Sequence, residues 1–153
     1  MGQFLGTHAN RLDSKGRVSV PAAFRTTLAS FDTNELILRP SHKWPCIEAW
    51  PEPAFRDFAS RLDQFDAFSD EHDDLAVALF ADAQSAIPDA EGRIVLNERL
   101  TEYAQLVAGK PVAFVGFNKI FLIWEPAISQ EYLPQARARA RERGLTVPRD
   151  ARA

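Results

Sequence analysis

Three basic side chains stand close together near the start of the chain, in and beside the segment Asp13-Ser14-Lys15-Gly16-Arg17. Lys15 offers a compact point charge, whereas Arg17 offers a planar fork that can bind a phosphate or read guanine through two hydrogen bonds. Arg11 precedes the segment and suits a contact that positions the protein on a nucleic-acid backbone. These residue types are suited to contacts with the phosphates and base edges of nucleic acids.

The same segment has the signature of a tight turn. The Asp13 carboxylate can accept a hydrogen bond from the backbone two residues further on, and Gly16 can adopt the positive φ that other residues resist. A purely structural interpretation is that Asp13 and Arg17 only pair across their own turn. Lys15 beside them favours the DNA-binding interpretation.

The turn occurs a second time, at an offset of 76 residues, as Asp89-Ala90-Glu91-Gly92-Arg93. Asp89 and Gly92 are expected to shape this turn as their counterparts shape the first, and Arg93 is its candidate DNA contact. Glu91 replaces the lysine, so negative charge stands on both sides of the arginine. The second turn should therefore approach DNA less readily, and the structural and DNA-binding interpretations are equally favoured there.

The repetition extends well beyond the turns, which indicates two copies of one unit. Each copy has the pattern strand, turn, strand, helix, strand, strand. Trp50 corresponds to Trp124 at an offset of 74, so the second copy is two residues shorter in an intervening loop. The further matches at the offset of 76 are Phe4 with Phe80, Phe24 with Leu100, and Leu36-Ile37-Leu38 with Val112-Ala113-Phe114.

Helices are predicted between and after the copies. Apolar side chains from Phe55 to Phe65 recur every three or four residues, which predicts an amphipathic helix over residues 53–67 with an acidic outer face. Ser69 is expected to cap a second helix. Residues 127–143 are also predicted to be helical, with a kink or break at Pro134. The predicted organisation is a first repeat (4–52), inter-repeat helices (53–79), a second repeat (80–126) and a C-terminal helix and tail (127–153).

The net charge of −3 for the 153 residues argues, taken alone, against a nucleic-acid partner. The charges are segregated, however: residues 1–51 carry six basic and four acidic side chains, whereas residues 52–79 carry two basic and eight acidic ones. One acidic block therefore sets the overall sign, and the first turn lies in a basic region. The arginine-rich segment 137–143 would spread its charges around a helix, which favours a solvated tail over a second DNA contact.

Enzyme chemistry has no positive support in the sequence. His42 and Cys46 lie near each other, but structural zinc needs four ligands and no second pair follows. Cys46 is the only cysteine, which fits a reducing compartment. The first residues contain no apolar run of the length expected for a signal peptide, and no later stretch is long enough to span a bilayer. We expect a cytoplasmic, nucleoid-associated protein that is not an enzyme, with no metal, cofactor, small-molecule substrate or membrane partner.

At the paired turns the sequence resembles the MraZ family, whose repeated motif is Asp-x-x-x-Arg and whose two halves belong to the SpoVT–AbrB class. The resemblance runs from about Phe4 to Trp124. It implies an α+β fold in which hairpins from two in-chain repeats interleave into a swapped-hairpin (double-split) β-barrel, with an inter-repeat helix pair and C-terminal helices. Simpler members of the class build the same barrel as homodimers.

The resemblance also implies a function. Family members act as transcriptional regulators, forming ring-like homo-oligomers that bind repeated DNA boxes ahead of the division and cell-wall gene cluster. The DNA contacts predicted for this chain are Arg11, Lys15 and Arg17, with Arg93 from the second turn. An alternative is a ring-forming scaffold or interaction protein that does not bind specific DNA.

Overall fold

The structure is a computed structural model that describes residues 1–149. Its strands are β1 (Thr7–Arg11), β2 (Arg17–Ser19), β3 (Leu36–Pro40), β4 (Ile47–Pro51), β5 (Gln84–Ala86), β6 (Arg93–Val95), β7 (Pro111–Phe117) and β8 (Ile120–Trp124). Its helices are α1 (Ala22–Ala29), α2 (Glu52–Ser60), α3 (Asp70–Phe80), α4 (Glu98–Tyr103) and α5 (Pro126–Glu142). The α+β class is as predicted. Residues 150–153, the end of the predicted C-terminal part, lie outside the described residues.

Six strands form one antiparallel sheet in the order β1-β7-β8-β4-β3-β5. The β3–β4 hairpin comes from the first copy and the β7–β8 hairpin from the second, and the two hairpins meet where β4 pairs with β8. The first strand of each copy has crossed to the other copy, because β1 pairs with β7 and β5 pairs with β3. The two copies therefore share one sheet.

The remaining strands, β2 and β6, form a separate two-stranded antiparallel ladder. One strand comes from each copy, and Val18 lies opposite Ile94 at the centre of the register. Both of these side chains are buried, while their neighbours along each strand are not. The alternation expected of a half-buried strand thus aims the apolar face of the ladder at the core.

A short helix follows each ladder strand and closes over the core. Asn97 caps α4, because its side-chain oxygen accepts a hydrogen bond from the Leu100 backbone N–H at 2.9 Å. Pro21 precedes α1 at the equivalent position. The helices bury Phe24 and Leu100 at matched sites. The core draws on both copies, and the ring of Phe24 packs 4.9 Å from that of Phe121 on β8.

Two helices cover the outer face of the sheet. The Phe58 ring on α2 lies 4.5 Å from the Trp50 ring on β4, over the hairpin of the first copy. The Tyr132 ring on α5 lies 5.6 Å from the Trp124 ring on β8, over the hairpin of the second copy. Each matched tryptophan is thus a docking point for a helix that lies outside the repeat.

Three details differ from the sequence-based expectations or remain unconfirmed. Within residues 1–149 the hydrogen-bonded sheet has β1 and β5 as its edges, so closure into a barrel is not confirmed. The helix predicted over 53–67 ends at Ser60 and continues only as a 3₁₀ helix over Arg61–Gln64. Pro134 does not split α5, which runs through it as one helix of 17 residues.

Candidate nucleic-acid interface

The first turn, residues 13–17, is held by the side chain of its own aspartate. Asp13 Oδ1 accepts hydrogen bonds from the backbone N–H groups of Lys15 and Arg17, both at 2.8 Å. Its second oxygen, Oδ2, accepts from Arg17 Nε at 2.7 Å. The backbone closes the turn further, because the Asp13 N–H donates to the Arg17 carbonyl at 2.9 Å. The carboxylate therefore fixes both the turn and the direction in which the arginine leaves it.

These hydrogen bonds hold the Asp13 carboxyl in its charged form. The backbone N–H of Arg17, followed by its side chain, lowers the pKa of Asp13 from the ordinary value of 3.8 to about 2. The negative charge is therefore present at every pH at which the protein would work.

Gly16 is required at the fourth position of this turn for two reasons. Its φ is +79°, in the left-handed region that favours glycine. A Cβ at this position would also lie 2.9 Å from the Leu96 carbonyl oxygen. The sequence predicted the first reason, but the second depends on how the two copies meet.

The basic groups of the first turn have different amounts of freedom. The Lys15 side chain is exposed, and the Arg17 side chain is 34% exposed. Among the contacts of the described residues, Arg17 uses only its Nε, so its two terminal nitrogens have no protein partner there. The pairing of Asp13 with Arg17 is therefore present, and it still leaves the fork of the arginine available.

Arg11 lies at the end of β1, one residue before the turn region, and its guanidinium donates to the carbonyl of Gly109. The adjacent Lys110 is exposed, and its carbonyl accepts a hydrogen bond from the Leu12 N–H at 3.1 Å. Lys110 thus adds a cation beside the first turn from the second copy. The motif could not reveal this residue, because only the register of β1 against β7 brings it there.

The second turn, residues 89–93, repeats the same hydrogen bonds. Asp89 Oδ1 accepts from the backbone N–H groups of Glu91 at 2.9 Å and Arg93 at 3.0 Å, and Oδ2 accepts from Arg93 Nε at 3.0 Å. The Arg93 backbone N–H is the main cause of the lowered pKa of Asp89. Gly92 has a φ of +80°. The shared motif therefore encodes one local structure in both copies.

The second turn differs in what its arginine contacts. A terminal nitrogen of Arg93 lies 3.1 Å from a carboxylate oxygen of Glu91, in addition to the pairing with Asp89. Arg93 is therefore held between two carboxylates, whereas Arg17 contacts one. This geometry favours the structural interpretation for Arg93 more than for Arg17.

The two turns lie at opposite ends of the β2–β6 ladder. The Gly16 carbonyl accepts from the Leu96 N–H at 2.8 Å, and the Gly92 carbonyl accepts from the Val20 N–H at 2.8 Å. In the antiparallel register Arg93 lies opposite Ser19, two residues along β2 from Arg17. Arg17 and Arg93 are therefore diagonal neighbours on one face of the ladder, although their turns lie at its opposite ends.

The structure also places Cys46, which the sequence analysis considered for metal binding or catalysis. Cys46 is fully buried, and burial raises the pKa of its thiol far above the usual range. Residues 1–149 contain no group of three or more histidine, cysteine, aspartate or glutamate side chains that could hold a metal ion. In the same part of the chain, no helix is both long enough and apolar enough to cross a membrane.

The chain is similar to known proteins over most of its length. The family model described as "MraZ protein, putative antitoxin-like" matches residues 3–77 and 79–146. A protein of Gluconacetobacter diazotrophicus named "Transcriptional regulator MraZ" is 52% identical over 99% of this chain and 96% of its own length. Proteins with the same name from Gluconobacter oxydans and Xanthobacter autotrophicus are 49% and 36% identical, over 92% and 93% of this chain and over 87% and 89% of their own lengths.

Proposed function

This chain belongs to the MraZ family, and we propose that it is a transcriptional regulator that binds specific double-stranded DNA through its first turn. The observation that carries the proposal is the state of Arg17. The Asp13 carboxylate accepts a hydrogen bond from the Nε of Arg17 and thereby orients the guanidinium. Both terminal nitrogens of Arg17 remain available for a phosphate or a guanine. An arginine that is already oriented loses less conformational freedom when it binds.

The surroundings of Arg17 support the same proposal. Lys15 is exposed within the turn, while Arg11 ends β1 and Lys110 immediately precedes its partner strand β7. We assign Lys15, Arg11 and Lys110 to phosphate contacts that position the protein, and Arg17 to the contact that reads a base. Arg93 in the second turn takes a weaker part because Glu91 occupies one of its nitrogens.

We further propose that several chains assemble into a ring that binds repeated promoter boxes ahead of the division and cell-wall gene cluster. A ring would present one first turn for each chain, so that modest individual contacts add avidity on repeated boxes. Such a regulator would act in the cytoplasm at the nucleoid. Native mass spectrometry of the free protein tests the assembly, because a monomer at micromolar concentration would contradict it.

The proposal extends to the fold. We propose that the repeats at 4–52 and 80–126 form a swapped-hairpin barrel, to which residues 53–79 and 127–153 are appended. The exchange of β1 and β5 between the copies supports this arrangement.

The test is salt-dependent binding to the promoter DNA upstream of the chain's own gene, with a scrambled sequence as the competitor. Wild type should prefer the promoter, with affinity that falls steeply as salt rises. Arg17→Ala should lose about 1–3 kcal/mol for each contact and most of the preference, while Arg17→Lys should keep the salt dependence but lose the preference.

Arg56→Ala is the matched control, because it removes an arginine that pairs with Glu52 on α2, away from both turns. It should bind as wild type does. If wild type does not distinguish the promoter from the scrambled DNA at moderate salt, the regulator is ruled out and the ring-forming scaffold becomes the function to pursue.

A further inference from the structure

A basic side chain from the first copy lies directly against the second turn. Arg25 projects from α1, and its Nε and guanidinium carbon would each lie 2.7 Å from a Cβ built on Gly92. Its Nε donates to the Val20 carbonyl at 3.2 Å. Arg25 is nonetheless exposed. The absence of a side chain at Gly92 is therefore what allows the guanidinium to lie on the backbone of the turn.

The repeat shows that this arrangement belongs to the second turn alone. At the offset of 76, the counterpart of Arg25 is Thr101 on α4, and the counterpart of Lys15 is Glu91. Thr101 lines the groove beside the first turn. The first turn thus carries its extra cation within the turn, whereas the second turn receives one from the helix of the other copy.

Arg25 faces a groove that could hold an anion. The groove is open to solvent, has a volume of about 440 Å³ and lies beside the second turn. Its polar lining includes His8, Asn10, Ser19, Arg25 and Glu91. Among the ion pairs of the described residues, Glu91 is bonded to Arg93 and not to Arg25. Among residues 1–149, Arg25 donates a hydrogen bond only through its Nε, so its terminal nitrogens are left for a ligand in the groove.

We propose that Arg25 supplies the phosphate-binding cation of the second turn, so that both ends of the β2–β6 ladder contact the DNA backbone. This inference rests on the proposed DNA-binding function and extends it to the copy in which the motif alone is unfavourable. Arg25 offsets the charge of Glu91, and a guanidinium flat against a turn is well placed to donate two hydrogen bonds to one phosphate.

The test compares the promoter binding of wild type, Arg25→Gln, Arg25→Lys and Arg25→Gln/Glu91→Lys across a series of salt concentrations. Arg25→Gln should weaken binding about tenfold and reduce the slope of log affinity against log salt by about one for each contacting chain. Arg25→Lys should keep the slope. The double variant places a lysine in the second turn at the position that Lys15 occupies in the first, and it should restore most of the affinity.

Arg61→Gln is the matched control, because it removes an exposed arginine that pairs with Asp57 at the end of α2. The melting temperature of every variant shows whether a loss of DNA binding comes from a loss of stability, because Arg25 also donates a hydrogen bond to the Val20 carbonyl. A structural role for Arg25 would lower the melting temperature and would not be rescued by Glu91→Lys.

The outcomes separate the two proposals. If Arg25→Gln binds with the wild-type affinity and slope while Arg17→Ala loses the promoter preference, the inference is overturned and the regulator stands. Loss of binding that follows thermal destabilisation, without rescue by Glu91→Lys, also overturns it. If wild type itself shows no preference for the promoter, the proposed function fails and the inference falls with it.

Discussion

Asp13 and Asp89 make the same three hydrogen bonds, two to backbone N–H groups and one to the Nε of the arginine four residues on. In the sequence analysis, an ion pair with the aspartate and a contact with DNA are alternative roles for this arginine. The geometry shows that they are compatible in the first turn, because pairing uses the Nε and leaves the terminal nitrogens. The two turns differ at their third residue. Glu91 pairs with a terminal nitrogen of Arg93, whereas Lys15 is a cation and forms no such pair with Arg17.

The state of Asp13 can be measured directly. Its carboxyl should titrate with a pKa of about 2 in the folded protein, against 3.8 ordinarily. Because the folded pKa is the lower one, the stabilisation it brings is fully present above pH 3.8 and is lost as the pH falls through about 2. Carboxyl ¹³C NMR over an acid titration gives the value.

Arg17→Ala provides the control for that titration. It should raise the pKa of Asp13 only part of the way, because the backbone N–H of residue 17 is the larger cause of the shift and survives the substitution. A pKa near 3.8 in wild type, or one that Arg17→Ala leaves unchanged, would contradict the described turn.

At the scale of elements, the repeat predicted most of the local structure. The Asp-x-x-x-Arg turn, the strand after it and the short helix that follows recur because each depends on residues close in sequence, such as Pro21 before α1 and Asn97 before α4. The apolar spacing from Phe55 to Phe65 misplaced the end of α2, because periodicity does not distinguish an α-helix from the 3₁₀ helix that continues it. Contacts such as Arg25 on Gly92 depend on strand pairing between the copies, which no local pattern encodes.

The two hairpins also differ in a way that the repeat did not predict. Arg39 on β3 pairs with Glu48 on β4 at 2.9 Å, and these side chains are 1% and 12% exposed. The pair at the corresponding place in the second hairpin is Val115 and Leu122. The Arg39 guanidinium also lies 6.0 Å from the centre of the Phe58 ring on α2. The first copy thus has a buried ion pair where the second has an apolar pair.

This difference predicts the outcome of an exchange between hairpins. Glu48→Gln should lower the free energy of unfolding by about 3–5 kcal/mol, because it leaves the Arg39 charge buried without its partner. The double variant Arg39→Val/Glu48→Leu, which copies the second hairpin, should recover much of that loss. Recovery should be incomplete because the Trp50 indole N–H donates to Glu48 at 3.0 Å. Urea unfolding measures all three proteins.

A double variant that is no more stable than Glu48→Gln alone would contradict this account. It would mean that the ion pair contributes net stability rather than merely avoiding an unpaired buried charge.

At the scale of the whole molecule, neither copy is complete. β1 has its ladder partner in the second copy and β5 has its partner in the first. In the part of the chain that the structure describes, β2 and β6 pair only with each other. The buried core likewise contains Phe24 from one copy against Phe121 from the other. The repeat could be read from the sequence, and the resemblance implied interleaving, but the residue pattern alone did not specify which strands exchange.

This exchange predicts the behaviour of a divided chain. Fragments 1–66 and 67–153, separated in the turn between the 3₁₀ helix and α3, should each fail to fold as a monomer, because each lacks the ladder partner of its first strand and about half of the shared core. Mixed in equal amounts, they should regain the circular dichroism, a single cooperative unfolding transition and the promoter binding of the intact chain.

The control is an intact chain cut at an inserted protease site between residues 66 and 67 after folding, which should stay folded and migrate as one species. Because the copies are equivalent, a fragment could also pair with a second copy of itself, and its stability would then rise with concentration. Sedimentation equilibrium identifies that case. A monomeric fragment that unfolds cooperatively and independently of concentration would show that one copy suffices for a core, against the exchanged pairing of β1 and β5.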